Sequence, residues 1–177
     1  MSGIAGVLST QHHDLLPKIL ERIKHRGANS LKIWDGSNAI FGTIGLDSIN
    51  EQPGPSSTPS NDRAVVMDGS ISNRVELRKD LNFHSITNGS DAEVSLHAFE
   101  ELGTRIFGRL QGEFAIVIID EDRFVLARDR LGIKPLYYGF HDDALCFASE
   151  IKGLVGFVDQ VHEFPPGHFL TSDHGLY

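Results

Sequence analysis

At 177 residues, 40% of them apolar, the chain has the length and composition of one globular domain able to bury a full core, which excludes disordered and fibrous classes. Its net charge of −8 excludes a nucleic-acid partner, because phosphate binding needs concentrated Lys and Arg that this chain lacks. No apolar run approaches the roughly 20 residues of a membrane span and no basic-then-apolar leader opens the chain, so no membrane association and a cytoplasmic location are expected.

Residues 2–8 alternate small and apolar side chains and predict a first strand with the N-terminus at one end. Leu15, Leu16, Ile19, Leu20 and Ile23 then recur on one helical face, with Asp14 as the expected N-cap, Pro17 confined to the first turn and Gly27 as the stop. Between 37 and 49, short strand-like pieces are broken by Gly42 and Gly45. Residues 52–62, rich in Pro, Gly, Ser and Asn, read as a long mobile loop, and 64–67 as a short buried strand. A second helix is expected over 91–107, where Val94, Ala98, Leu102 and Ile106 are spaced by four and Ser90 is available as the cap. Thereafter 114–119, 124–127, 136–138 and 145–148 read as strands joined by turns such as Asp120-Glu121-Asp122. Strands apolar on both faces must be covered on both sides, which predicts two stacked sheets with helices outside.

The single cysteine, Cys146, has no internal disulfide partner and sits among apolar neighbours without a basic group to lower its pKa, so it reads as core. The nine histidines show no helical pair with an acidic companion and no cysteine company, and no metal site is expected. Neither Gly-x-Gly-x-x-Gly nor a P-loop occurs, so no cofactor is indicated. Lys134-Pro135 and the tyrosines that follow read as builders of a core hairpin.

The opening Met1-Ser2-Gly3-Ile4-Ala5-Gly6-Val7 resembles that of class II glutamine amidotransferase domains. In that family the first Met is removed and a cysteine at position 2 attacks the glutamine side-chain amide. Further segments resemble the family in the same order: His25-Arg26-Gly27-Ala28-Asn29, Ser90-Asp91-Ala92-Glu93 and Leu110-Gln111-Gly112-Glu113-Phe114-Ala115. The string Arg128-Asp129-Arg130-Leu131-Gly132-Ile133-Lys134-Pro135-Leu136-Tyr137-Tyr138, then Phe147-Ala148-Ser149-Glu150-Ile151-Lys152 and Pro165-Pro166-Gly167, resembles the glutaminase domain of asparagine synthetase in particular. The resemblance implies an N-terminal-nucleophile hydrolase fold, an α/β (α+β) class built as a four-layer αββα sandwich of two mainly antiparallel sheets. It covers 1–177 as a single domain, without the Ser-Gly-Gly-x-Asp-Ser loop of a synthetase half.

Carried onto this chain, the family's chemistry needs a freed α-amine as base, a nucleophile, donors for the developing oxyanion and a grip on the substrate's amino-acid end. Ser2 holds the nucleophile position, and a hydroxyl is far harder to deprotonate than a thiol. The family's oxyanion segment Asn-Gly-Glu-Ile-Tyr-Asn is matched by Asp68-Gly69-Ser70-Ile71-Ser72-Asn73, so the backbone donor position Gly69 is kept while Asp68 turns a donor into an acceptor. Gly45 stands where the family's Arg holds the α-carboxylate, and Asp91, the α-ammonium position, is retained. Plainer readings exist for both acids: Asp68-Gly69 suits a turn, and Asp91 suits the start of a helix. The expectation is a domain deficient in glutamine hydrolysis that serves as an interaction or regulatory module, its partner a separate synthetase subunit or a second copy of itself. The alternatives are a serine amidohydrolase acting on an amide other than glutamine, and a glutaminase subunit supplying ammonia.

Overall fold

Strand residues 112–120 show how the layers arise. Phe114, Ile116 and Ile118 point into one apolar core while Ala115, Val117 and Ile119 point into another, the period-two consequence of a strand buried on both faces. The computed structural model describes residues 2–27, 30–45, 55–58, 62–81, 86–87, 89–173 and 175–177. In chain order the elements are β1 (Gly3–Leu8), α1 (Leu15–Ile23), β2 (Ser30–Asp35), β3 (Ile40–Gly45), β4 (Ser56–Ser57), β5 (Arg63–Ile71), α2 (Arg74–Lys79) and α3 (Asp91–Leu102). They continue with β6 (Gly112–Asp120), β7 (Arg123–Arg128), β8 (Tyr137–His141), β9 (Ala144–Ala148), α4 (Ile151–Leu154), β10 (His162–Glu163), β11 (Phe169–Thr171) and β12 (Gly175–Leu176).

Two six-stranded sheets result, ordered β10-β8-β9-β1-β3-β2 and β12-β11-β7-β6-β5-β4, and every pairing between named strands is antiparallel. Ile4, Phe41, Ala64, Val66, Val117 and Phe147 belong to the core between the sheets. On the outer face of the first sheet, Leu16, Ile19 and Ile23 of α1 and Leu154 of α4 cover Ala5, Val7, Ile44 and Cys146. On the outer face of the second, Leu77 of α2 and Val94, Leu96 and Ala98 of α3 cover Val65, Ile116 and Ile118. Three apolar layers between four structural layers make the expected αββα sandwich.

Several local expectations are corrected. Asp14 precedes α1 but makes no capping bond: its backbone is already helical at φ −66°, ψ −13°, and its carboxylate accepts from Lys18 Nζ at 2.7 Å. α1 ends at Ile23, and Gly27 closes a 3-10 turn over 24–26 instead. Gly42 does not break a strand, because β3 runs unbroken through it, and the edge strand β2 and the short α2 were not foreseen. The strand expected at 64–67 extends to Ile71. Ser90 caps α3 as expected, accepting from Glu93 N at 3.1 Å, but the helix stops at Gly103, whose φ of +58° turns the chain into a 3-10 segment over 103–108. Ser56–Ser57 of the expected polar loop pair with β5, while 52–54 and 59–61 lie outside the described residues.

Candidate active site

Ser2 stands at the head of β1. Gly3 pairs with Ile44, which brings Ser2 level with Gly45 at the end of β3. From the second sheet, Ala64 and Val66 of β5 point into the core between the sheets, and Asp68 continues that alternation toward β1. The carboxylate arrives fully buried and accepts from Ser2 Oγ at 2.5 Å. Asp68-Gly69 is therefore not a turn, since both residues lie within β5 in register with Ala115 and Phe114 of β6. Gly69 has a φ of +126°, and a Cβ there would stand 2.0 Å from the Glu113 carbonyl oxygen, so only glycine lets the strands approach.

Arg26, in the turn after α1, sits beside this pair. Its Nη2 lies 3.4 Å from Asp68 Oδ2, its Nε donates to the Ser2 carbonyl at 2.7 Å, and its Nη1 donates to Glu150 Oε1 at 3.2 Å. Its stem lies over β1, where a Cβ on Gly3 would meet Arg26 Cδ at 3.0 Å, and only 12% of the side chain is exposed. The turn seats this deeply because Gly27 presses against the end of β3; a Cβ on Gly27 would be 2.5 Å from the Gly45 backbone. Met1, Ala28, Asn29 and Leu46 lie outside the described residues.

Lys134 completes the arrangement and corrects its reading as part of a core hairpin. Leu136 beyond it is fully buried, yet Lys134 Nζ reaches to 3.8 Å from Asp68 Oδ1 and 3.6 Å from Glu113 Oε1. The loop before it is held by the buried Asp129 carboxylate, which accepts backbone N–H groups of Leu131, Ile133, Lys134 and Phe114 at 3.0–3.3 Å. Arg128 adds bonds to the carbonyls of Gly132, Lys134 and Phe164. The long family-like string is thus a rigid loop that aims one ammonium at the buried acid.

At the far side, Ser149 fastens β9 to β1 by accepting from Ile4 N at 2.9 Å and donating its own N–H to the Ile4 carbonyl at 2.9 Å. This places Glu150 against Arg26. Burial pushes the Glu150 carboxyl up, but bonds from Arg26, His25 and Lys152 together hold it below its ordinary value. The charges alternate in space as Lys134, Asp68, Arg26, Glu150. Two cations flanking Asp68 leave this cluster unsuited to a metal ion, and the carboxylate serves as hydrogen-bond acceptor for the Ser2 hydroxyl.

Asp91, at the start of α3, accepts from Ile71 N at 2.9 Å through Oδ2. Its Oδ1 lies 3.1 Å from Arg74 Nη1, an ion pair without hydrogen-bond alignment. The fold therefore brings Ser2 and Asp68 into contact, sets Gly69 beside Asp68 and Gly45 level with Ser2, and engages Asp91 with the end of β5 and with α2. Arg26, Lys134 and Glu150 were missed as charge partners because they come from positions far apart in the chain.

A sequence model of the family described as "glutamine amidotransferase domain" matches residues 1–165. The chain belongs to that family. Curated relatives include "Asparagine synthetase [glutamine-hydrolyzing] 2" of Arabidopsis thaliana, 34% identical over 189 residues that take in 99% of this chain and 32% of that protein. The asparagine synthetase of Sandersonia aurantiaca is 34% identical over 187 residues, 100% of this chain and 36% of its own. The amidotransferase domain thus spans about a third of the length of these relatives. Among solved structures, glutamine phosphoribosylpyrophosphate amidotransferase from B. subtilis superimposes with a TM-score of 0.78 at 20% identity, over 99% of this chain and 48% of that one. A glutamine aminotransferase class-II domain protein from Silicibacter pomeroyi gives 0.52 at 15% identity, over 100% and 96%. At those identities the structural likeness speaks for the fold, which is the two-sheet sandwich described above. The chain is thus a glutamine amidotransferase domain, similar along its length to part of the asparagine synthetases, and no helix among the described residues is long and apolar enough to cross a membrane.

Proposed function

We propose that this amidotransferase domain does not hydrolyse glutamine and acts as an interaction or regulatory module, docking a synthetase subunit or a second copy of itself. The observation that carries the reading is the 2.5 Å bond from Ser2 Oγ to a fully buried Asp68 carboxylate held between Arg26 and Lys134. In amide hydrolysis the substrate carbonyl oxygen turns anionic as the nucleophile adds. Losing one oxyanion donor costs roughly a hundred- to a thousandfold in rate, and a carboxylate at that position adds repulsion. Asp68 stands where the family's donor would be and has no N–H to offer. Gly45 presents no guanidinium for a substrate carboxylate, and Arg26, beside the pair, already serves Asp68, Glu150 and the Ser2 carbonyl. Each change weakens glutamine turnover, and Ser2 and Asp68 instead join a charge network with Arg26 and Lys134 at the head of β1.

One feature favours a second reading, a serine amidohydrolase on a different amide. A carboxylate in contact with Ser2 Oγ is positioned to take its proton, and a substrate without an α-carboxylate has no need of an arginine at position 45. One experiment separates the readings. The purified chain, with removal of Met1 verified by mass spectrometry, is assayed for ammonia release from glutamine and from a panel of other amides. No release from any of them is expected. Ser2→Cys is expected to remain silent on glutamine as well, because the oxyanion and carboxylate partners are still missing. Brisk glutamine consumption by the Met-trimmed wild type refutes the proposal in favour of a glutaminase supplying ammonia, and turnover of another amide decides for the serine hydrolase.

A further inference from the structure

The end of the first sheet opposite Ser2 gathers a second group of side chains. There β1 gives way to the 9–14 loop and the two-residue turn Asp142-Asp143 joins β8 to β9, because His141 pairs with Ala144. His12 of the loop meets the end of β8, its ring 4.8 Å from that of His141 in an edge-to-face arrangement. His12 Nε2 lies 3.8 Å from Asp142 Oδ2, and one donor atom from each of His12, His141 and Asp142 lies within 4.8 Å of the others.

We propose that His12, His141 and Asp142 bind one first-row divalent cation of the zinc type. Two imidazoles and one carboxylate make the mixed nitrogen and oxygen donor set such ions favour, with the remaining positions open to water. Donors around a tetrahedral zinc with bonds of about 2.0–2.1 Å stand roughly 3.4 Å apart, so the group needs to close by an ångström or so. The second observation is the orientation of His141. Its Nδ1 lies 2.6 Å from the Phe157 carbonyl, which can only accept, so Nδ1 carries the proton and Nε2 the lone pair. A carbonyl fixing one imidazole nitrogen is the outer-shell device that orients a metal-bound histidine. His12 and Asp142 both have left-handed backbones, φ 63° and 50°, so their directions are set by turn geometry. The next residue, His13, points elsewhere and binds Asp35 and the Ser9 carbonyl, anchoring the same loop toward β2. A bound ion would fasten its other side to the β8–β9 turn and brace β1, whose far end carries Ser2.

The test is calorimetric titration of the untagged 177-residue chain with Zn2+, repeated with His12→Asn and Asp142→Asn. Asparagine tolerates left-handed backbone, so both replacements suit their turns. One equivalent of Zn2+ is expected for the wild type, with binding at least tenfold weaker in each variant and unchanged in the control His162→Asn. In the wild type alone, Zn2+ is expected to shift the imidazole NMR signals of His12 and His141 before those of other histidines, a readout that survives if a variant misfolds. Absence of saturable binding, binding unaltered in both variants, or first shifts at other histidines would overturn the proposal.

Discussion

Arg26→Ala tests the charge network directly. The substitution removes three interactions at once: the pairing with Asp68 at 3.4 Å, the bond to Glu150 at 3.2 Å and the bond to the Ser2 carbonyl at 2.7 Å. Asp68 is 0% exposed and Arg26 12% exposed, so the pair belongs to the buried class, where removing one partner costs about 3–5 kcal/mol. Lys134, 3.8 Å from Asp68 and 23% exposed, remains as a weaker neutralising charge, which places the expectation at the lower end, about 3 kcal/mol. For a domain of this length each kcal/mol lowers Tm by roughly 2–4 °C, so a fall of about 6–12 °C is expected. Asp68→Asn removes the charge while keeping the shape, and it leaves Arg26 its bond to Glu150, so it should cost only about 1 kcal/mol. The double variant should then be less destabilised than the sum of the two by more than about 1 kcal/mol, because the buried carboxylate no longer lacks its partner. Urea and thermal denaturation of the four proteins measure both quantities. A single-variant loss for Arg26→Ala below about 1 kcal/mol, or additivity within about 0.5 kcal/mol, would refute the view that the acid is buried on account of Arg26.

Gly69→Ala places a methyl 2.0 Å from the Glu113 carbonyl oxygen at a φ of +126°, whereas Gly103→Ala at φ +58° meets nothing within 4 Å. The first should cost roughly 3–4 kcal/mol or prevent soluble expression, and the second only about 1–2 kcal/mol, which denaturant midpoints of the two variants would distinguish. Burial pushes the Cys146 thiol up to about 12, so a disulfide reagent should label it only at the rate of unfolding, and rapid labelling of the folded chain would contradict its place under α1. The Glu150 carboxyl is held below its ordinary value of 4.5 in the folded chain. A depressed acid contributes stability that is complete above the ordinary value and is lost as pH falls through the folded one. Tm measured against pH should therefore drop more steeply below 4.5 in the wild type than in Glu150→Gln, and parallel curves would refute the coupling to Arg26.

Much of the architecture is written in local order. The unbroken apolar run of 114–119 and the four-residue spacing of 94–106 are local signals of a strand buried on both faces and of a helix, so strands, helices and the need for cover on both sheet faces are legible without coordinates. The Ser90 cap and the buried Cys146 were readable for the same reason, since each depends on its immediate neighbours. Legibility stopped where distant segments decide. Asp68-Gly69 has the composition of a turn, but nine cross-strand pairs between β5 and β6 hold it extended. Edge strand β2 escaped notice because its apolar residues do not keep to one face: Leu31 and Ile33 are exposed while Trp34 turns into the core between the sheets.

By itself the sequence determined the family and the layered class, and its resemblance singled out Ser2, Gly45, Asp68, Gly69 and Asp91 as candidate positions. Tertiary structure alone decided what those positions touch: Arg26, Lys134 and Glu150 converge on Ser2 and Asp68 from three separate segments, and His12 meets His141 across the opposite end of the same sheet. The physical reason is range. Periodicity and capping act within one or two turns of chain, whereas ion pairing and metal coordination depend on distances of a few ångströms between residues that only strand register brings together.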